Sequence, residues 1–155
     1  MNANQELLIT FYKAFQNKDF RTMQKCYADN AVFNDEVFKN LNAKEVRAMW
    51  EMLIQRGKDL QIEVKNIQVD DSTGHAEWIA SYTFSSTKRK VVNRIKADFV
   101  FENSKIVIHT DHFDFYTWAR QALGVTGLFL GWTNYLNNKV SKKALEGLHK
   151  FMQKS

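Results

Sequence analysis

One short stretch of the chain, His109-Thr110-Asp111-His112-Phe113-Asp114, concentrates four side chains that can hold or move a proton. If the segment is extended, alternate side chains share a face, so His109, Asp111 and Phe113 lie together and Thr110, His112 and Asp114 point the other way or end the strand. A histidine and a carboxylate two residues apart on one face are an acid/base pair. The same alternation argues against a metal: His109 with Asp111 and His112 with Asp114 are split between two faces, four ligands cannot converge, and neither metal nor cofactor is expected. A further carboxylate, Asp35, stands in the cluster Asn34-Asp35-Glu36, whose residue types by themselves suit a solvated turn.

These groups need elements to hold them. Leu7, Leu8, Phe11, Ala14 and Phe15 recur at helical spacing, and a shorter helical turn from Phe20 to Tyr27 carries Met23 and Cys26 on one side. Ala31-Val32-Phe33 reads as a short strand. Asn42 with Glu45 forms a capping box that opens a helix ending at Arg56 before Gly57, with the stripe Val46, Met49, Trp50 and Leu53. Beyond Gly57 the period changes to two, predicting four strands: Leu60 to Val69, Ala76 to Phe84, Val91 to Phe101 and Ile106 to Phe115. The links between them are short and polar, which favours an antiparallel meander. Helices followed by consecutive strands place the chain in the α+β class. In the third of the four strands Val91, Asn93, Ile95, Ala97, Phe99 and Phe101 share the inward face, opposite Arg94, Lys96, Asp98 and Glu102. From Thr117 to Lys154 helical spacing returns, with Val140, Ala144, Leu145, Leu148, Phe151 and Met152 on one side.

The chain's 155 residues make one domain, 1–155, and its content of 45% hydrophobic and 25% charged residues excludes disordered and collagen-like classes. A formal charge of +5 is too small to call for nucleic acid, and the basic turn Thr87 to Lys90 reads as a solvated hairpin. The single cysteine, Cys26, cannot form an intramolecular disulfide. Met1 to Glu6 lacks a secretory pattern and no apolar run reaches the length of a membrane span, so a cytoplasmic protein with no membrane partner is expected.

The order of elements resembles the NTF2-like superfamily and, within it, the SnoaL-like proteins. Phe11 to Asp35, FYKAFQNKDFRTMQKCYADNAVFND, resembles the family's opening, in which a "YADDA" element leads into the first strand. Ser104 to Asp114, SKIVIHTDHFD, resembles its closing strand. The resemblance covers roughly Leu7 to Phe115, leaves 117–154 as a helical extension, and implies a curved antiparallel sheet wrapped around the N-terminal helices as a cone with a mostly apolar cavity. Ketosteroid isomerases, limonene epoxide hydrolases, polyketide cyclases and non-catalytic binding modules share that fold, so the resemblance implies a small-molecule ligand and leaves open acid/base isomerase, cyclase or hydrolase chemistry or a binding or assembly role.

Carried onto this sequence, the resemblance to ketosteroid isomerase places Asp35 at the general base and His109, Asp111 and Phe113 inside the cone. The isomerases' oxyanion-donating Asp is replaced by Ala97, which argues against steroid isomerisation. The resemblance to limonene epoxide hydrolase, through Thr110 to Asp114, puts Asp111 at a catalytic Asp, without the Arg-x-Asp that accompanies it there. Asp111, Asp35 and His109 are thus the catalytic candidates. Trp50, Trp78, Tyr82, Asn93, Phe99 and Phe113 are the candidate ligand contacts, their aromatic rings suiting a flat, apolar molecule. Placing His109 inward turns Ile106 and Ile108 outward with Ile79, which predicts a homodimer packed sheet to sheet. Gly124, Gly127 and Gly131 allow close turns, and Trp118 to Leu136 is expected to close the open end of the cone.

Overall fold

The computed structural model describes residues 2–154; Met1 and Ser155, the ends of the expected domain, lie outside the described residues. Helices α1 (Ala3–Gln16) and α2 (Phe20–Lys25) precede strand β1 (Tyr27–Asn34) and the two-residue strand β2 (Leu41–Asn42). Helix α3 (Ala43–Arg56) opens on the expected capping box, in which the Asn42 side chain accepts from the Glu45 N–H and Glu45 reaches back to the Asn42 N–H. The long strands follow as β3 (Gln61–Val69), β4 (Thr73–Phe84), β5 (Arg89–Glu102) and β6 (Lys105–His112), and then α4 (Phe115–Leu123), α5 (Val125–Leu130) and α6 (Asn134–Lys154). Among the described residues no helix is long and apolar enough to cross a membrane.

The six strands form one sheet in the order β2-β1-β6-β5-β4-β3. β3 to β6 are the antiparallel meander. β1 departs from the expected all-antiparallel sheet by running parallel to β6, which brings the end of β1, and Asp35 just beyond it, beside the C-terminal half of β6. The concave face of this curved sheet is covered by α1 and α3, whose Leu8, Phe11, Phe15, Val46, Met49 and Trp50 are buried against Ala76, Trp78, Ile95 and Phe99. Burying each of the larger of these side chains contributes roughly 1.5–3 kcal/mol. A second cluster of Val91, Trp118, Ala119, Ala122 and Leu136 fastens α4 and the start of α6 to β5.

Within the meander, bulges correct the strict alternation at two places. In β3 the apolar spacing Ile62, Val64, Ile67, Val69 skips a residue, and the register shifts between Lys65 and Gln68, where Asn66 adopts a φ of 56°. In β6 the register with β5 shifts between Val100 and Phe101, so that Ile106 and His109, three residues apart, both enter the core. The expectation that Ile106 faces outward is therefore wrong: it is fully buried, and only Ile108 of the two is exposed. The last strand also ends at His112 and not Phe115, because Asp114 caps α4 by accepting from the Tyr116 and Thr117 N–H groups.

The helical tail is tied to the sheet by polar contacts. The Gln121 side chain bonds both the N–H and the C=O of Val92, Arg89 donates to the Gln121 carbonyl, and Thr87 donates to the Ala122 carbonyl. The basic β4–β5 hairpin thus holds the end of α4.

Candidate functional site

Four side chains form one hydrogen-bonded row whose ends, Trp50 and Asp111, line a cavity and whose middle, Tyr27 and His109, lies behind it. The Trp50 indole N–H donates to the Tyr27 hydroxyl at 2.8 Å, that hydroxyl meets His109 Nδ1 at 2.8 Å, and His109 Nε2 meets Asp111 Oδ1 at 2.8 Å. Donor counting assigns the protons. Indole can only donate, so the Tyr27 oxygen accepts from it and sends its own proton to Nδ1; Nε2 then carries the imidazole hydrogen and donates to Asp111. Burial pushes the Tyr27 phenol well above its ordinary range, with the charge of Asp111 adding to it, so the tyrosine keeps the proton this order requires. His109 and Asp111 are buried, and the imidazole sits among Phe11, Phe33, Trp50 and Phe99, with Phe99 stacked at 4.2 Å between centroids. Packing therefore fixes the ring as well as its tautomer.

Asp35 follows the end of β1. Its Oδ1 accepts from the Val37 and Phe38 N–H groups at 2.7 and 2.6 Å, the side-chain-to-backbone turn its neighbours in sequence suggest. Asp35 and Asp111 both line the cavity. Burial raises the Asp35 pKa to about 7; the two N–H bonds oppose that rise, and the charge of Asp111 adds to it. A carboxyl whose folded pKa lies above its unfolded value binds its proton more tightly when folded. Its contribution favours the fold below about pH 4 and is lost as pH rises through about 7.

The cavity has a volume of about 520 Å³, with walls mainly apolar. Of the candidate ligand contacts, Trp50, Trp78, Tyr82, Asn93 and Phe113 line it. Phe99 does not: it backs His109 in the core, and His109 reaches the cavity only through Asp111. The Trp78 indole N–H is buried without a protein partner, which leaves a donor at the wall. Trp118 and Leu123 of α4, with Val140, Lys143, Ala144 and Gly147 of α6, line one side of the cavity; of the segment Trp118 to Leu136 expected to close the cone, only those two α4 residues do so, and α5 contributes nothing to the lining. The sequence reading missed Tyr27. The signal for it was chemical: two inward aromatics with polar tips, Tyr27 and Trp50, must each find a partner when buried. Burial pushes the Cys26 thiol up to about 11, so it keeps its proton at neutral pH. Among the described residues no group of three or more His, Cys, Asp or Glu side chains is placed to hold a metal.

Comparison with known proteins agrees with this architecture. The family described as SnoaL-like domain matches residues 8–109. No curated protein matches the sequence. Among solved structures, an NTF2-like protein of unknown function from Burkholderia pseudomallei superposes with a TM-score of 0.68 at 16% identity, covering 78% of this chain and 98% of that one. An LEH-like epoxide hydrolase from M. tuberculosis superposes at 0.63 and 20% identity, covering 83% and 96%. IdmH, a candidate polyketide cyclase from Streptomyces antibioticus, superposes at 0.64 and 19% identity, covering 79% and 99%. At these identities the likeness shows the fold.

Proposed function

The chain belongs to the SnoaL-like family, and from that premise we propose that it is an acid–base enzyme acting on an apolar small molecule that carries a reactive oxygen, such as an epoxide or a carbonyl. One observation carries the reading: two carboxyl groups line a single apolar cavity, one bonded to backbone N–H groups and the other to a buried imidazole. Burial keeps a proton on Asp35 towards neutral pH. The imidazole N–H of His109 donates to Asp111 and holds it at the cavity wall. Asp35 then supplies the proton to the substrate oxygen as Asp111 takes one, through its free oxygen, from water or from a carbon beside a carbonyl. For an epoxide, the C–O bond breaks as Asp35 protonates the oxygen, water adds to the carbon, and its proton goes to Asp111; a later transfer through solvent resets both carboxyls. Tyr27 and His109 position Asp111 and stay in place through the cycle.

A panel of apolar epoxides and enolisable ketones tests this. Turnover of a member of either class is expected, with a rate that falls as pH rises through about 7, where Asp35 loses its proton. A protein that binds panel members in the cavity but turns none over is a binding module and not an enzyme.

The outer sheet face supports a homodimer less strongly than the sequence suggested. Ile106 is inside, and the apolar row there consists of Val32, Ile108 and Val100, neighbours across β1, β6 and β5. Pairing through that row gives a particle of twice the chain mass by light scattering; a species of 18.2 kDa at micromolar concentration removes it.

A further inference from the structure

The tail carries an apolar surface that neither the core nor the cavity uses. Within α5 only Gly127 is buried, seated so close on α4 that an added Cβ would lie 1.9 Å from the Ala119 carbonyl oxygen. This seating turns the other face of α5 and the turn after it outward. Val125 is 71% exposed, Phe129 67%, Trp132 76% and Tyr135 66%, with Leu128 and Leu130 also exposed. Six large apolar side chains within eleven residues (125–135) form a patch that a soluble surface rarely leaves in water. The Trp132 indole N–H is bonded to the Phe129 carbonyl, so its ring presents mainly apolar atoms.

Positive charge surrounds this patch. The Arg89 guanidinium lies against Gly124 at the start of α5. Arg120 lies over the ring of Tyr116, whose hydroxyl bonds the Leu128 carbonyl. Lys139 lies over the ring of Tyr135. Residues 115–145 contain Arg120, Lys139, Lys142 and Lys143 and no Asp or Glu, and residues 78–97, which include the hairpin holding α4, contain five Lys or Arg and no Asp or Glu. Three acidic residues from elsewhere approach: Asp114, the cap of α4, whose carboxyl feels the charge of Arg120; Glu36, whose carbonyl accepts from Asn137; and Asp59, 3.5 Å from Lys90.

We propose that α5 and the first turn of α6 dock this surface into an anionic lipid bilayer, with Phe129, Trp132 and Tyr135 entering the headgroup region and Arg89, Arg120 and Lys139 facing lipid phosphates. A second copy of the chain is the poorer occupant, because self-pairing sets these cations against one another, whereas a surface of anionic headgroups neutralises them. Apolar aromatics with a cationic rim are the composition that binds at a membrane interface without spanning it. This differs from a spanning segment, for which no helix among the described residues is long and apolar enough. The proposal is independent of the acid–base reading. Trp118, Leu123 and Val140, neighbours of the patch in α4 and α6, also line the cavity, so the docked face would lie beside that wall.

The test uses the full chain with vesicles of phosphatidylcholine alone and of phosphatidylcholine with phosphatidylglycerol in equal parts. Trp50, Trp78 and Trp118 are buried, so a blue shift of tryptophan emission on adding vesicles reports Trp132. Partition onto the anionic vesicles is expected about tenfold or more above neutral ones, and to weaken as salt rises from about 0.1 to about 1 M. Phe129→Ser with Trp132→Ser should lower it about a hundredfold, the factor that two lost aromatic insertions imply, with the circular dichroism of the fold unchanged. Trp132→Phe should keep the partition and abolish the blue shift. Failure to partition onto anionic vesicles, or partition indifferent to the two serine substitutions, overturns the proposal. So does a change of oligomeric state caused by those substitutions, which would identify the patch as a contact between copies.

Discussion

Replacing Asp111 by asparagine should lower turnover of a substrate by roughly 10²–10⁴-fold while leaving the fold unchanged. The expectation rests on what the substitution keeps and what it removes. Asparagine offers His109 Nε2–H the same acceptor oxygen at the 2.8 Å position, so the row from Trp50 through Tyr27 and His109 survives. What disappears is the charge that takes a proton at the cavity wall. Asp114→Asn is the control, because Asp114 lies outside the cavity and caps α4, a role that asparagine fills about equally well. Kinetics on both variants, with circular dichroism for the fold, checks this. An Asp111→Asn enzyme within a few-fold of the parent assigns the base elsewhere.

His109→Leu should be the most damaging single change to stability, at roughly 3–5 kcal/mol. Leucine fills much of the imidazole's space among Phe33, Trp50 and Phe99, so lost packing is the smaller part. The larger part is electrostatic: Asp111 is left as a buried carboxylate without its donor, and the Tyr27 hydroxyl loses its acceptor. The double variant His109→Leu with Asp111→Leu removes the charge along with its partner and should recover a good part of the loss. Denaturant titration of the three proteins measures both steps. A single-variant loss below about 1 kcal/mol would mean that the His109–Asp111 contact holds little of the core together.

The sequence and the structure agree most closely where periodicity is strong. The capping box of α3 and the four long strands were legible because each rests on spacing within one element; alternation put His109 and Asp111 on one face, and the resemblance said which face is inward. The errors fall where one strand's register depends on another. Strict alternation sent Ile106 outward, and only pairing with β5 shows the bulge that returns it to the core. The spacing of Ile62, Val64, Ile67 and Val69 did carry a bulge in its skipped residue, which makes such a skip worth reading as one. Asp35 was found through resemblance, since its local sequence describes a turn, and the turn is there too: the residue both makes the turn and lines the cavity. Phe99 was misplaced for a different reason. Inward on a curved sheet means towards the core or towards the cavity, and a single strand's pattern cannot separate the two.

Asp35 bears the most direct test. The account requires its carboxyl to keep a proton towards neutral pH while it lines the cavity beside Asp111. Carboxyl-carbon NMR of the free protein, with the resonance assigned by Asp35→Asn, measures this without a substrate. The predicted result is a titration centred near 7, accompanied by a loss of folding stability between about pH 4 and pH 7 that is absent in Asp35→Asn. A midpoint at the ordinary aspartate value of about 4 would leave the cavity without its acid and contradict the proposed chemistry.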